Sequence, residues 1–145
     1  MNIFNNLKRR FYDVRLFIKS KYQLLRYGYE FRDCWSLDYS LARWILPRLK
    51  HLRKNLNGHP MELTFEQWEE ILDKIIFSFE YVLNNDKYYD ECYPKDFVHG
   101  FDMDKNGYLI WKDSRRPDFS VLDKYEKRYD EGILLFSKFF RSLWD

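Results

Sequence analysis

Apolar residues recur every three or four positions over four long segments of the chain, and this spacing is the strongest constraint on its fold. Residues with that spacing lie on one face of an α-helix, which is normally buried against another element. The third segment has the clearest start, because Thr64 and Gln67 form a capping box. Leu63 and Trp68 occupy the two positions of a hydrophobic staple. The apolar stripe that follows consists of Trp68, Ile71, Leu72, Ile75, Phe79 and Val82.

The other three segments also carry helix signals at their ends. The first runs over residues 3–27 and is closed by Gly28, a residue type that favours a helix C-terminus. The second follows Ser36, a good N-cap, and contains Pro47. Since proline lacks a backbone donor and clashes with the preceding turn, we predict a kink at Pro47. The last helix is predicted to begin near Ser120.

Residues 88–117 lack helical spacing and contain two prolines and two glycines. Asn106 and Gly107 lie there between two strand-like runs, which predicts a β-hairpin. The length of 145 residues and a hydrophobic content of 46% favour one folded domain. The predicted fold is therefore mainly α, a single domain over residues 1–145. It has about four helices in a compact bundle and a hairpin insertion between the third and fourth.

The hairpin segment "DMDKNGYLIWKD" also has the outline of an EF-hand calcium loop. Asp102, Asp104, Asn106 and Asp113 stand where such a loop carries ligands. Flanking prolines argue against the helices that an EF-hand requires, and Asp113 is one methylene shorter than the usual glutamate. A hairpin without metal is the preferred interpretation. These four residues are only weak metal candidates, and no cofactor is predicted.

The net charge of +2 excludes no class of partner, but the charges are unevenly distributed. The first helix is basic and the third is acidic, so the two can pair with each other. The first helix has a continuous apolar face, which predicts that this face packs in the core. Trp44 and Trp68 are also predicted to lie in the core. Binding of the basic helix to nucleic acid or to a membrane is the alternative.

A second group of basic residues combines with aromatic side chains near the second helix. Arginine suits phosphate oxygens, and aromatic rings stack on bases. Tyr93 is a further aromatic candidate. The predicted ligand-binding residues are Trp35, Tyr39, Arg43, Arg48 and His51.

Known catalytic motifs are absent from the sequence: there is no HExxH, GxSxG or P-loop pattern. The sequence therefore leans against an enzyme without deciding the question. A metal-dependent enzyme would use Glu91, Asp96, His99 and Asp102, which are close in sequence. The two cysteines, Cys34 and Cys92, form neither a disulfide framework nor a CxxC knuckle, so reduced, partly buried thiols are expected.

Three stretches resemble a family of short tailed-phage proteins that carry no assigned function. They are "RDCWSLDYSLARWILPRLKHLR", "GHPMELTFEQWEEILDKIIFSFE" and "EGILLFSKFFRSLWD". The resemblance covers about two thirds of the chain. It implies an accessory protein in the cytoplasm of an infected bacterium, and it transfers no catalytic residue.

The predicted function follows from this context and from the basic aromatic group. A non-enzymatic phage protein is expected to bind a host protein or an anionic small ligand such as a nucleotide signal, in a counter-defence role. The alternative is nucleic-acid binding through the first helix, and a metal-dependent enzyme comes third. A monomer or a homodimer is expected, with no membrane partner, because every apolar run is interrupted by charge.

Overall fold

The computed structural model describes residues 3–144, with the side chains of residues 9–144. The chain is mainly helical, with one two-stranded antiparallel hairpin between the fourth and fifth helices. The side chains of Ile3 and Leu7, predicted in the first stripe, lie outside the described residues. The helices are α1 (Ile3–Tyr27), α2 (Leu37–Lys54), α3 (Phe65–Leu83), α4 (Asn85–Asp90) and α5 (Ser120–Phe139). Single turns of 3-10 helix cover Phe31–Cys34 and Phe140–Ser142.

Two compact units divide the chain at residue 41: an N-terminal unit, residues 1–41, and a C-terminal unit, residues 42–145. Helix α2 begins in the first and continues in the second. The single-domain assignment stays a prediction. The mainly α fold and the hairpin are confirmed, with one difference: a short helix, α4, follows α3.

The N-terminal unit contains α1, the 3-10 turn Phe31–Cys34 and the first residues of α2. Gly28 ends α1 with a φ of +82°, and its N–H donates to the Leu24 carbonyl at 2.9 Å. Gln23 is buried and its side-chain oxygen accepts from the Phe31 backbone N–H at 3.2 Å. These bonds tie the chain after α1 back onto the helix face that carries Gln23.

The apolar stripe of α1 is exposed, so the prediction that it is core is wrong for the side chains that the structure describes. Phe11, Val14, Ile18, Tyr22 and Leu25 are all exposed. The only buried side chain described in α1 is polar, that of Gln23. The helical period correctly located the helix, but it did not show which face of the helix is covered.

The core of the C-terminal unit is built by α2, α3 and α5. Its buried members are Ala42, Leu46, Leu49, Trp68, Leu72, Ile75, Ile76, Phe79 and Phe139. Trp68 lies edge-on to Phe139, with ring centroids 5.5 Å apart. Trp68 is core as predicted, whereas Trp44 is 59% exposed, which contradicts the prediction for that residue.

Helix α3 begins as the sequence predicts. The Gln67 N–H donates to Thr64 Oγ1, and the Thr64 N–H donates to Gln67 Oε1 at 2.9 Å, which completes the capping box. Arg53 of α2 binds α3 through Asp73 and Glu69, and Lys50 pairs with Glu80 at 2.6 Å. These acidic residues of α3 therefore pair with bases of α2.

Helices α3 and α5 approach closely at Gly132. A Cβ atom at Gly132 would overlap Ser78 Oγ and the Lys74 carbonyl oxygen. The Ser78 hydroxyl is fully buried and donates to the Tyr129 carbonyl at 2.8 Å, which links the two helices. Lys74 also forms an ion pair with Glu131 at 2.6 Å. A side chain larger than hydrogen is not accommodated at this crossing.

Candidate ligand-binding site

The insertion between α4 and α5 is fastened at both ends to the helices. The Asp118 N–H donates to the Cys92 carbonyl at 2.8 Å, which brings the two ends of the insertion together. The Tyr125 hydroxyl of α5 donates to the Glu91 carboxylate at 2.6 Å. Asp118 also caps α5, since its carboxylate accepts from the Ser120 N–H and hydroxyl. These two donors lower the pKa of Asp118.

The hairpin of the insertion consists of β1 (Phe101–Met103) and β2 (Leu109–Trp111). Phe101 pairs with Trp111 in the register, and the two ring centroids are 4.2 Å apart. At the turn, Gly107 has a φ of +83°, and the Asp104 carboxylate accepts from the Asn106 and Tyr108 N–H groups at 2.8 Å. The predicted hairpin is confirmed. The Asp104 side chain stabilises its turn by accepting backbone N–H groups, as in an Asx turn.

Asp113 and Arg115 hold the insertion together beside the hairpin. The Arg115 guanidinium donates to both oxygens of the Asp113 carboxylate, with the shortest N–O distance 2.6 Å. It also donates to the carbonyls of Lys95 at 3.1 Å and Asp96 at 3.0 Å. The Asp113 carboxylate accepts from the Val98 N–H at 3.2 Å. One ion pair thus joins two segments of irregular chain, residues 95–98 and 113–115.

These donors set the ionisation of Asp113. The hydrogen bond from the Arg115 side chain is the main cause, and it holds the pKa of Asp113 far below its usual range. The Arg115 and Val98 N–H groups act in the same direction. Asp113, the weak metal candidate at the end of the calcium-loop outline, is thus engaged by an arginine.

The other candidates for a metal or a metal-dependent enzyme have separate surroundings. Asp102 lies 3.8 Å from the Lys112 ammonium group, and Glu91 accepts from Tyr125. His99 contacts the rings of Tyr93 and Phe97. Within residues 3–144, no three His, Cys, Asp or Glu side chains come together in a group that could hold a metal ion.

A cavity of about 460 Å³ opens between the hairpin, the Asp113–Arg115 pair and the start of α5. We call it the insertion cavity. Its aromatic walls come from both ends of the insertion, and it also contains two adjacent arginines. The lining residues are Tyr93, Phe97, Trp111, Asp113, Ser114, Arg115, Arg116, Pro117 and Phe119. Tyr93, an aromatic candidate from the sequence, is one of them.

Arg116 is exposed and available to a ligand, whereas its neighbour Arg115 is already bound within the insertion. Arg115 is bound to Asp113 and to two carbonyls, whereas Arg116 is exposed and makes no hydrogen bond or ion pair within the part of the chain that the structure describes. The Asp113 charge is balanced by Arg115. Arg116 therefore leaves one net positive charge at the wall of the cavity, which favours an anionic ligand.

The aromatic rings can supply flat contact area. Tyr93 and Phe97 have ring centroids 4.7 Å apart and are half-buried, whereas Trp111 and Phe119 are exposed. Rings that are held by neighbours lose little freedom when a planar ligand stacks on them. The insertion cavity thus combines aromatic walls with one free guanidinium group.

The five residues predicted to bind a ligand are divided between the two units. Trp35 and Tyr39 belong to the N-terminal unit and are both exposed. Arg43, Arg48 and His51 belong to the C-terminal unit on α2. No experiment or comparison tests their role, so it stays a prediction.

Within α2, the three basic residues do not form one cluster. A helix turns 100° per residue, so Arg48 and His51 lie on the face of Trp44, while Arg43 lies well away from Arg48. The Arg48 guanidinium stacks 4.0 Å from the centre of the Trp44 ring and donates to the Trp44 carbonyl. Helix α2 is continuous through Pro47, and the kink there stays a prediction.

Sequence reasoning missed most residues of the insertion cavity. Arg116, Phe97 and Phe119 carry no periodic pattern, because they lie on irregular chain whose path depends on the Asp113–Arg115 pair. The available signal was the "SRRP" stretch, two adjacent arginines directly after a strand. Without the fold, it did not indicate which arginine is engaged and which is free.

Comparison of the chain with protein-family models, with curated proteins and with solved structures finds no match. The resemblance to tailed-phage proteins therefore stays a prediction. Among the described residues, no helix has the length and apolar character needed to cross a membrane.

Proposed function

We propose that this protein is a non-enzymatic binding protein that holds an anionic, planar small ligand in the insertion cavity. The nucleotides are the ligand class that fits best. The observation that carries this proposal is the free Arg116 guanidinium beside Trp111, Phe119 and the Tyr93–Phe97 pair. A ring that stacks on the aromatics places its phosphate within the field of Arg116.

The size and chemistry of the insertion cavity agree with this ligand class. Small-molecule sites commonly measure about 300–1,000 Å³, and the insertion cavity has about 460 Å³. Stacking of one base on an aromatic side chain contributes about 1–3 kcal/mol. A charge-assisted hydrogen bond from arginine to phosphate contributes about 1.5–3 kcal/mol. Together the two terms come to about 2.5–6 kcal/mol, which corresponds to a Kd between about ten millimolar and a few tens of micromolar.

The chemistry of the lining supports binding without catalysis. Asp113 is a poor general base, because its pKa is low and its oxygens already accept hydrogen bonds from Val98 and Arg115. Ser114 has no histidine beside it among the lining residues. A nucleophile paired with a base, which hydrolysis of a phosphate or an acyl group requires, is not assembled at this wall.

The biological setting rests on the phage resemblance alone. A small phage protein in the cytoplasm of an infected bacterium that sequesters a nucleotide would lower the concentration of a host signal, which is a counter-defence role. A host protein remains the other partner class of this proposal. It would contact the exposed apolar surface of the hairpin, formed by Phe101, Met103, Leu109 and Trp111.

Nucleic-acid binding through α1 has weaker support. Its bases lie along both edges of the exposed apolar stripe, so a duplex that approaches them meets Phe11, Val14 and Ile18. Phosphate-binding surfaces need cations in that position. The α1 surface therefore suits another partner better.

Isothermal titration of the protein with a panel of linear and cyclic nucleotides tests the proposal. Saturable heat from at least one nucleotide, with one site per chain, is the expected result. Ribose and inorganic phosphate serve as controls for the two halves of the ligand, and each should bind far more weakly than the whole. Absence of heat across the panel, at protein concentrations that detect millimolar affinity, would remove the small-ligand proposal.

A further inference from the structure

Helix α1 displays a stripe of large apolar side chains to solvent. Phe11, Val14, Ile18, Tyr22 and Leu25 follow one another by three or four positions and are all exposed, Leu25 to 88%. Such a stripe is costly to leave in water, since large apolar side chains gain free energy on burial. Contiguous exposed apolar surface on a soluble chain commonly marks a contact site.

Basic residues border this stripe on both sides. With 100° per residue, Arg15, Lys19 and Arg26 lie along one edge of the stripe, and Arg10 and Lys21 lie along the other. The single acid of the helix, Asp13, lies on the far side. Residues 9–27 thus contain six bases and one acid; five of the bases border the apolar stripe, and Arg9 lies on the opposite face.

These bases are not neutralised within their own unit. Among the N-terminal-unit side chains that the structure describes, the ion pair formed is Arg32 with Glu30, at 4.0 Å, and it involves no base of α1. The Lys21 ammonium group lies over the Phe17 ring, 5.4 Å from its centre. The acids Glu69, Asp73 and Glu80 on α3, which were expected to balance α1, pair with Arg53 and Lys50 instead.

The charges beside the apolar stripe distinguish between the partners that could bind it. A second copy of α1 laid on the first would bring two sets of bases together, and like charges repel each other. A nucleic acid would meet the apolar stripe between the two rows of cations. An anionic surface with an apolar interior satisfies the stripe and both rows at once.

We propose that α1 binds peripherally to an anionic lipid bilayer, with its apolar stripe in the acyl region and its bases at the head-group phosphates. Long Lys and Arg side chains reach the head groups while their stems cover apolar surface. Each base near the surface adds to the attraction. The helix lies in the plane of the bilayer, so attachment needs no spanning segment. This differs from the sequence-based expectation of no membrane partner, which considered spanning segments.

Co-sedimentation with lipid vesicles tests this inference. The protein is expected to sediment with vesicles of equimolar phosphatidylglycerol and phosphatidylcholine, and not with vesicles of phosphatidylcholine alone. Rising salt should release it, because surface attraction is screened over a Debye length. Equal binding to both vesicle types, or no binding to either, would overturn the inference.

A matched pair of variants identifies the face that binds. Ile18 and Tyr12 are 62% and 63% exposed, but Ile18 lies on the stripe and Tyr12 lies off it. Ile18→Gln should weaken vesicle binding about tenfold, whereas Tyr12→Gln should leave it unchanged. Both variants should keep the wild-type circular dichroism, since neither side chain is buried. Equal loss in both, or retention of binding in Ile18→Gln, would overturn the assignment of the stripe.

A charge variant separates lipid from the other occupants. Arg15→Gln should weaken binding to the phosphatidylglycerol vesicles about fivefold. Light scattering should show that, without lipid, the protein does not dimerise through α1. A dimer dispersed by Ile18→Gln, or tighter binding to duplex DNA than to these vesicles, would replace the lipid with a second copy or with a nucleic acid.

Discussion

The Arg115 guanidinium donates hydrogen bonds to the Asp113 carboxylate and also to the carbonyls of Lys95 and Asp96. This arrangement makes one residue of an adjacent arginine pair structural and leaves the other, Arg116, free. Because Arg115 holds two separate segments of the insertion together, one at Lys95 and Asp96 and one at Asp113, the shape of the insertion cavity depends on it.

Arg115→Lys should loosen the insertion while the helices remain folded. Lysine offers one ammonium group and lacks the planar fork that bonds the carboxylate and the two carbonyls together. Hydrogen exchange at the Val98 amide, which donates to Asp113, should become faster. Arg116→Lys is the matched control and should leave that amide protected. Similar exchange in both variants would contradict the structural role of Arg115.

The insertion should open as the pH falls. The folded-state pKa of Asp113 lies well below its ordinary value of 3.8. The stabilisation by its ionised form is therefore fully present above about pH 4. It is lost progressively as the pH falls below that value toward the folded-state pKa. The protection factor of the Val98 amide, by which its exchange is slower than in an unfolded chain at the same pH, should fall over this range, and Asp113→Asn should show low protection at every pH. An acid response that persists in Asp113→Asn would assign it to another group.

Gly132→Ala should destabilise the C-terminal unit. The new Cβ would overlap Ser78 Oγ and the Lys74 carbonyl, so α3 and α5 must separate. Overpacking of this kind costs about 1–3 kcal/mol, which outweighs the gain of about 1 kcal/mol in helix propensity. Urea denaturation measures the change in the free energy of unfolding. Gly58→Ala is the control, because a Cβ there has no neighbour within 4 Å, and its midpoint should not fall.

The two cysteines should react at different rates. Cys34 is exposed, and Cys92 is buried, which raises the pKa of its thiol and lowers the fraction of thiolate. Ellman's reagent at neutral pH should therefore titrate one thiol rapidly and the second only when the protein unfolds. Cys34→Ser should remove the rapid phase. Rapid reaction of both thiols in the native protein would contradict the burial of Cys92.

The sequence predicted the elements well because their signals are local. The capping box at Thr64, the C-terminal Gly28 and the Asn106-Gly107 turn each depend on a few neighbouring residues, and each is present in the structure. Helix α1 also has the predicted bounds. What a helix face contacts is not local, so the exposure of Ile18 and Trp44 was predicted wrongly.

The candidate site was less predictable for a related reason. Aromatic and basic residues near α2 suggested a ligand site, but helix geometry separates Arg43 from Arg48, and Arg48 is stacked on Trp44. The insertion cavity depends on irregular chain that is shaped by one ion pair, and no periodic pattern marks such a segment. Among the lining residues, Tyr93 was indicated beforehand as an aromatic candidate at the end of an element, and Asp113 was indicated as a weak metal candidate.

The central claim is that an anionic ligand binds beside Arg116, and one titration series tests it most directly. The nucleotide that gives the strongest heat is titrated into the wild type, Arg116→Gln and Arg48→Gln, which lose the same charge at two different places. We expect Arg116→Gln to weaken binding about tenfold or more, as loss of a charge-assisted hydrogen bond implies, and Arg48→Gln to bind like the wild type. Unchanged binding in Arg116→Gln together with a loss in Arg48→Gln would contradict the account and place the ligand on α2.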